Sequence, residues 1–285
     1  AGTVVANQSE YTMYGYAADA DGNLLLDMDT PIYGPVASDE NVYFEDMTAM
    51  DGTTDTFTAT FTATSSGDSS GEYFSDNSAT REFAITEDVY STDGIDVYTD
   101  ADISRLGTGS FTDATDGFIM MSYYDIQSTT SVAGARIYLD SYAFEEPLSV
   151  GGGELVVAIR DTANVLGETF NPTAIASSDF YLVTDYDVNN NGFVTVAFDP
   201  VVSLNPGAYF LSVEMYSNGN ANDIYILDDE TIPQPSYLSM IYIPGDAAYT
   251  NGTAAAIRML TGESPIFDLE ENANRINIYP NPSNG

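Results

Sequence analysis

The sequence predicts an all-β protein built of two β-sandwiches. Two observations carry that expectation. Apolar and polar residues alternate with period two through most of the chain, and clusters of Gly, Asn and Pro cut it into short, regularly spaced segments. A third is negative, since no long stretch carries the apolar period of a helix.

Taken in order, strands are expected first at 11–16 and then at 57–64. There Phe57, Ala59, Phe61 and Ala63 point one way and Thr58, Thr60, Thr62 and Thr64 the other, which makes a half-buried strand with a wet threonine face. Further strands are expected at 82–86, 118–124, 135–139, 154–160, 180–184, 193–198, 208–215, 224–227, 237–243 and 256–260. Turns separate them at Asp21-Gly22-Asn23, Gly151-Gly152-Gly153, Asn189-Asn190-Asn191-Gly192, Asn205-Pro206-Gly207 and Asn218-Gly219-Asn220. The division falls near residue 90. Residues 1–89 make a sandwich of immunoglobulin size, and the strands of 90–262 suit a jelly roll of two packed sheets. Residues 263–274, ending in an acidic run, read as a linker.

The 285 residues are 44% hydrophobic, with 21 Tyr and 14 Phe, enough to build real cores. Against 44 Asp and Glu stand six basic residues, all Arg, for a formal charge of -38. So acidic a surface repels phosphate backbones and anionic headgroups, so nucleic acid and membrane surfaces are poor partners. No apolar run is long enough to span a bilayer. Cations are better partners, and a salty or calcium-rich setting would screen the self-repulsion. The chain starts at Ala1 rather than Met, which predicts that an upstream segment has been removed.

Lys, His, Cys and Trp are absent. That removes Ser-His-Asp and Cys-His arrangements, Schiff bases and imidazole metal sites, and no catalytic residue is assigned. Carboxylate pairs such as Asp228-Asp229 and Glu145-Glu146 could in principle serve a glycosidase. In so acidic a chain they are expected to be solvated surface. The string Asp187-Val188-Asn189-Asn190-Asn191-Gly192 matches the first half of an oxygen-rich calcium loop, with Asp187, Asn189 and Asn191 as alternate ligands. It lacks the closing Glu, because Phe198 stands at the twelfth position. The same string suits a type I′ hairpin turn over Asn191-Gly192. Asp19, Asp21 and Asn23 form a second loop of this kind, readable as calcium ligands or as a plain turn. Calcium is the only cofactor the residues suggest. The Tyr-rich stretch 237–242 reads as packing, a subunit contact or a sugar platform.

The end of the chain, Arg275-Ile276-Asn277-Ile278-Tyr279-Pro280-Asn281-Pro282-Ser283-Asn284-Gly285, resembles the start of the C-terminal sorting domain of the type IX secretion system of Bacteroidetes. In that family a short apolar strand is followed by a Tyr-Pro-Asn-Pro-(Ser/Ala)-x-Gly turn, matched here by Tyr279, Pro280, Asn281, Pro282 and Gly285. The plainer alternative is a Pro- and Asn-rich tail closing the last domain. The resemblance covers residues 275–285 and implies export to the cell surface, not an activity. Ala1-Gly2-Thr3-Val4-Val5-Ala6 and Arg81-Glu82-Phe83-Ala84-Ile85-Thr86 resemble segments of immunoglobulin-like modules in large secreted Bacteroidetes proteins. That likeness implies that the chain begins after a first strand and belongs to a longer polypeptide. Asp161-Thr162-Ala163 resembles the short O-glycosylation motif of the same phylum, with Thr162 as acceptor.

The expectation is a secreted structural or adhesive protein that self-associates, or docks with neighbouring domains of its polypeptide, and assembles into a filament by strand complementation. A carbohydrate-binding module, with a glycan as partner, is the alternative.

Overall fold

A computed structural model describes residues 2–3, 11–33, 41–42, 54–65, 77–111, 116–141, 147–165, 170–234 and 237–262. The described residues form an all-β fold of antiparallel sheets. Contacts divide the chain into two units, 1–87 with 94–100, and 88–93 with everything from 101 onward.

The first unit holds β1 (Gly2–Thr3), β2 (Tyr11–Asp19), β3 (Leu24–Tyr33), β4 (Asn41–Val42), β5 (Asp55–Ser65) and β6 (Ser78–Ile85). β1 pairs with β4, and the others form a sheet in the order β3-β2-β5-β6. The alternation along β5 is realised at its start, where Phe57 and Ala59 are buried, Thr58 is exposed, and the Phe57 ring stacks on Phe83 at 5.7 Å. It fades toward the end of the strand, where Phe61 is only half-buried and Ala63 is exposed. Segment 94–100 returns to this unit. It buries Ile95, donates the Thr99 amide to Glu82 at 2.9 Å and lays the Tyr98 ring 3.8 Å from the Arg81 guanidinium.

The second unit contains β7 (Val89–Tyr90), β8 (Ile103–Gly107), β9 (Phe118–Ile126), β10 (Thr130–Tyr138), β11 (Glu154–Arg160), β12 (Ala174–Ser177) and β13 (Tyr181–Leu182). It continues through β14 (Phe193–Leu204), β15 (Gly207–Tyr216), β16 (Tyr225–Asp229), β17 (Ser239–Tyr242), β18 (Ala248–Thr250), β19 (Ala254–Ala255) and β20 (Ile257–Thr261). A seven-stranded sheet runs β12-β11-β15-β9-β17-β18, with β13 also paired to β11. Facing it are a four-stranded sheet, β14-β10-β20-β7, and a three-stranded one, β19-β16-β8. Leu139, just after β10, bridges to Ile226 on β16 and ties these two together. The chain repeatedly changes sheet, so that β9, β11 and β15 belong to one layer while β10 and β14 belong to the other.

Side-chain alternation then builds the core between the layers. Met120, Leu155, Val157, Ile159, Leu211, Val213 and Met215 point inward from the large sheet, to meet Ile137, Val194, Val196, Ile226, Ile257 and Met259. The opposite face of the large sheet is not wholly wet. Ile119, Met121, Phe210, Met240 and Ala248 form a second cluster there, covered by Val165 and Phe170 from the connection after β11. The triple glycine before β11 is explained by close approach, because a Cβ at Gly153 would lie 2.7 Å from the Asn222 carbonyl oxygen.

Candidate functional site

The carboxylates are placed first by burial. Asp228 and Asp229, expected on solvated surface, are 2% and 0% exposed, so that expectation fails. Partners make it possible, because a buried acid survives only when donors replace water. Asn251 Nδ2 donates to Asp228 at 3.0 Å, while Asp229 accepts the Thr231 amide at 2.9 Å and the Thr231 hydroxyl. Burial pushes the Asp228 carboxyl up to about 6. Asp93 is gripped on both oxygens by Arg258, at 2.6 and 3.0 Å, and Arg258 also donates to the Tyr138 hydroxyl at 3.0 Å. Asp140 is fully buried beside Arg105, 3.0 Å away. Glu145 and Glu146 lie outside the described residues.

The calcium candidates are engaged separately. Asp187 is 1% exposed, and its carboxylate accepts the Thr184 amide at 2.8 Å, the Thr184 hydroxyl at 2.7 Å and the Tyr181 hydroxyl at 3.2 Å. Asn189 donates its amide to the Asp185 carbonyl at 2.7 Å, and Asn191 Nδ2 is buried with no partner. The segment is not the type I′ hairpin that the string allows. Asp187–Asn191 forms a helical turn ended by Gly192 at φ 74°, and it joins β13, which pairs with β11, to β14, which pairs with β10. The inward pull on Asp187 coils the backbone. In the other loop, Asp19 closes on Asn23, accepting its amide N–H and its side chain at 2.7 Å each, while Asp21 is exposed. Those bonds hold the Asp19 carboxyl below the usual carboxylate range. Among the described residues, no group of three or more Asp, Glu, His or Cys side chains is placed to share a metal ion.

Thr162 is exposed in a turn whose preceding Asp161 accepts the Thr173 amide at 3.0 Å. Tyr279, Pro280, Asn281, Pro282 and Gly285 lie outside the described residues.

Two surfaces remain. One is a groove of about 380 Å³ between β12 and β14, the edge strands of the two facing sheets, lined by residues 175–177 and 198–202, apolar except for Ser177 and Asp199. The other is the outer face of the seven-stranded sheet. Within the Tyr-rich stretch, Tyr242 stacks on Phe170 at 4.3 Å and Tyr237 packs edge-on to Tyr123 at 6.4 Å. Further along, Arg160 Nε donates to the Ser212 hydroxyl at 2.9 Å, and its Nη2 meets Glu214 at 3.4 Å. The Tyr216 hydroxyl donates to Glu214 at 2.5 Å, and Phe180 leans on the Tyr216 ring at 5.5 Å. Burial and the neighbouring Glu214 push the Tyr216 phenol up to about 12. Neither arrangement was visible as a whole in the sequence, because Phe170, Tyr123, Phe180 and Arg160 come from other segments than the residues they meet.

No protein-family model matches the chain, and no curated protein matches it. Two solved structures of infectious bursal disease virus, from the Gx and Gt strains, align over 93% and 95% of this chain and 66% and 73% of theirs. Both are 10% identical, each with a TM-score of 0.23, a likeness too slight to inform the fold or the function.

Proposed function

We propose that this chain is a structural or adhesive cell-surface protein, exported by the type IX route and joined to further copies through its sheet edges. The observation that carries the reading is the groove between β12 and β14. Two edge strands lie side by side there, and Ile175 is 47% exposed on an edge that an added strand could cover. The occupant is an edge strand of a second copy, its alternate apolar side chains entering the groove. A formal charge of -38 on each copy makes that contact depend on salt or divalent cations. What supports export is the Tyr279–Gly285 string.

Negative-stain microscopy and sedimentation at high salt and millimolar calcium test the assembly. Filaments or regular oligomers are expected, and Ile175→Glu, which places a charge on the edge, should leave only monomers. Dispersed monomers of the unaltered chain under those conditions would overturn it. For export, replacing Tyr279 and Pro280 by alanine in the secreting cell should trap the protein inside.

A further inference from the structure

We propose that the outer face of the seven-stranded sheet carries a binding site for a neutral oligosaccharide, built from Phe180, Tyr216, Glu214 and Arg160. Phe180 is 62% exposed, more than any other large apolar side chain among the described residues. An aromatic ring held in water offers an apolar face to the C–H side of a sugar, and the Tyr216 ring, tilted 54° to it at 5.5 Å, widens that surface.

Hydroxyl recognition needs fixed donors and acceptors beside the rings, and Glu214 and Arg160 supply them. Glu214 is held from two sides, by the Tyr216 hydroxyl at 2.5 Å and by Arg160 at 3.4 Å. Each carboxylate oxygen keeps a lone pair in reserve, and the side chain remains 27% exposed. Arg160 is itself anchored to Ser212, whose hydroxyl donates to the Ala158 carbonyl at 3.0 Å. Its guanidinium has more N–H groups than these contacts use. The polar groups stand on β11 and β15, which pair over Glu154–Arg160 inside the sheet, so little conformational entropy is lost when a ligand settles. Glu154 and the 54% exposed Leu182, paired across β11 and β13, rim the same end of the face.

Charge selects the ligand class. A chain of formal charge -38 repels uronic and sulfated polymers, whereas neutral sugars pay no such cost. The site shares no residue with the groove lining, so it does not rest on the assembly reading.

Titration calorimetry with cellohexaose, xylohexaose and mannohexaose provides the test, with polygalacturonate as the anionic control. Saturable binding of at least one neutral hexaose is expected, weakened about tenfold or more by Phe180→Ala and by Glu214→Gln. Tyr249→Ala, which removes an exposed ring on β18, should leave it unchanged. Absence of saturable binding by all three hexaoses overturns the site, as does full affinity in Phe180→Ala and Glu214→Gln. Binding of polygalacturonate in preference to the hexaoses overturns the ligand class.

Discussion

At Asp228 a carboxyl group sits on β16 with almost no access to water. Burial is the leading cause of its rise to about 6, opposed by the Asn251 and Thr253 side chains and reinforced by the charges of Glu230 and Asp93. Because the folded-state value lies above the ordinary 3.8, the native state holds this proton more tightly than the unfolded one. Stability from this group is therefore greatest when it is protonated and falls as pH rises between those two values. The loss at neutral pH is roughly 3 kcal/mol. Asp228→Asn keeps an acceptor for Asn251, and it should raise Tm by several degrees near pH ~8 and leave it almost unaltered near pH ~4, as read by thermal melts across that range. Gly107 poses a different constraint. A Cβ there would lie 2.6 Å from the Tyr225 Cα and closer still to the Ile224 carbonyl oxygen, both of them backbone. Gly107→Ala should cost about 3 kcal/mol or more, measurable by urea unfolding.

Among the elements, β11 was legible to the residue, and β9 and β15 nearly so, because large apolar side chains alternate inward along each, interrupted in β9 at Ser122. β3, β8 and β12 were not. β3 opens on three consecutive leucines, β8 sets Ser104 and Arg105 between Ile103 and Leu106 and so shows no alternation, and β12 is mostly Ala and Ser, so their pairing is decided by the neighbouring strand. The Asp187–Asn191 string was ambiguous for a related reason: its own residues allow a turn or an ion loop, and Thr184 and Tyr181 choose a helical turn instead. Period two alone places Glu214 and Tyr216 on one face of β15. That Arg160 reaches them from β11 follows only from the register. Pairing across elements also governs stability. Asp93 keeps a fully buried side chain because Arg258 on β20 grips it, so Arg258→Met should destabilise by about 3–5 kcal/mol. Adding Asp93→Asn should recover part of that loss in urea unfolding, since the stranded charge is gone.

Over the whole molecule the six arginines cannot offset the acids, and the five in the described residues are already committed. Arg105, Arg160 and Arg258 pair with Asp140, Glu214 and Asp93, while Arg81 and Arg136 lie over the Tyr98 and Phe193 rings. Self-repulsion is thus left to the solvent to screen. Tm should climb with sodium chloride up to roughly 0.5 M, where the Debye length has shrunk to a few ångströms, and then level off. A flat profile in calorimetry would count against this. The pairing of β7 with β20 sets how the second unit responds to pulling. Val89 lies opposite Leu260 and Tyr90 opposite Met259, so residues 88 and 262 stand at the same end of one antiparallel pair. A load applied between Asp88 and Gly262 therefore peels these bonds one after another instead of shearing them together. Just behind the short zipper stands the Arg258–Asp93 pair, backed by Tyr124 donating to the Ile257 carbonyl at 2.6 Å. The unit yields easily over its first step and then meets a buried latch.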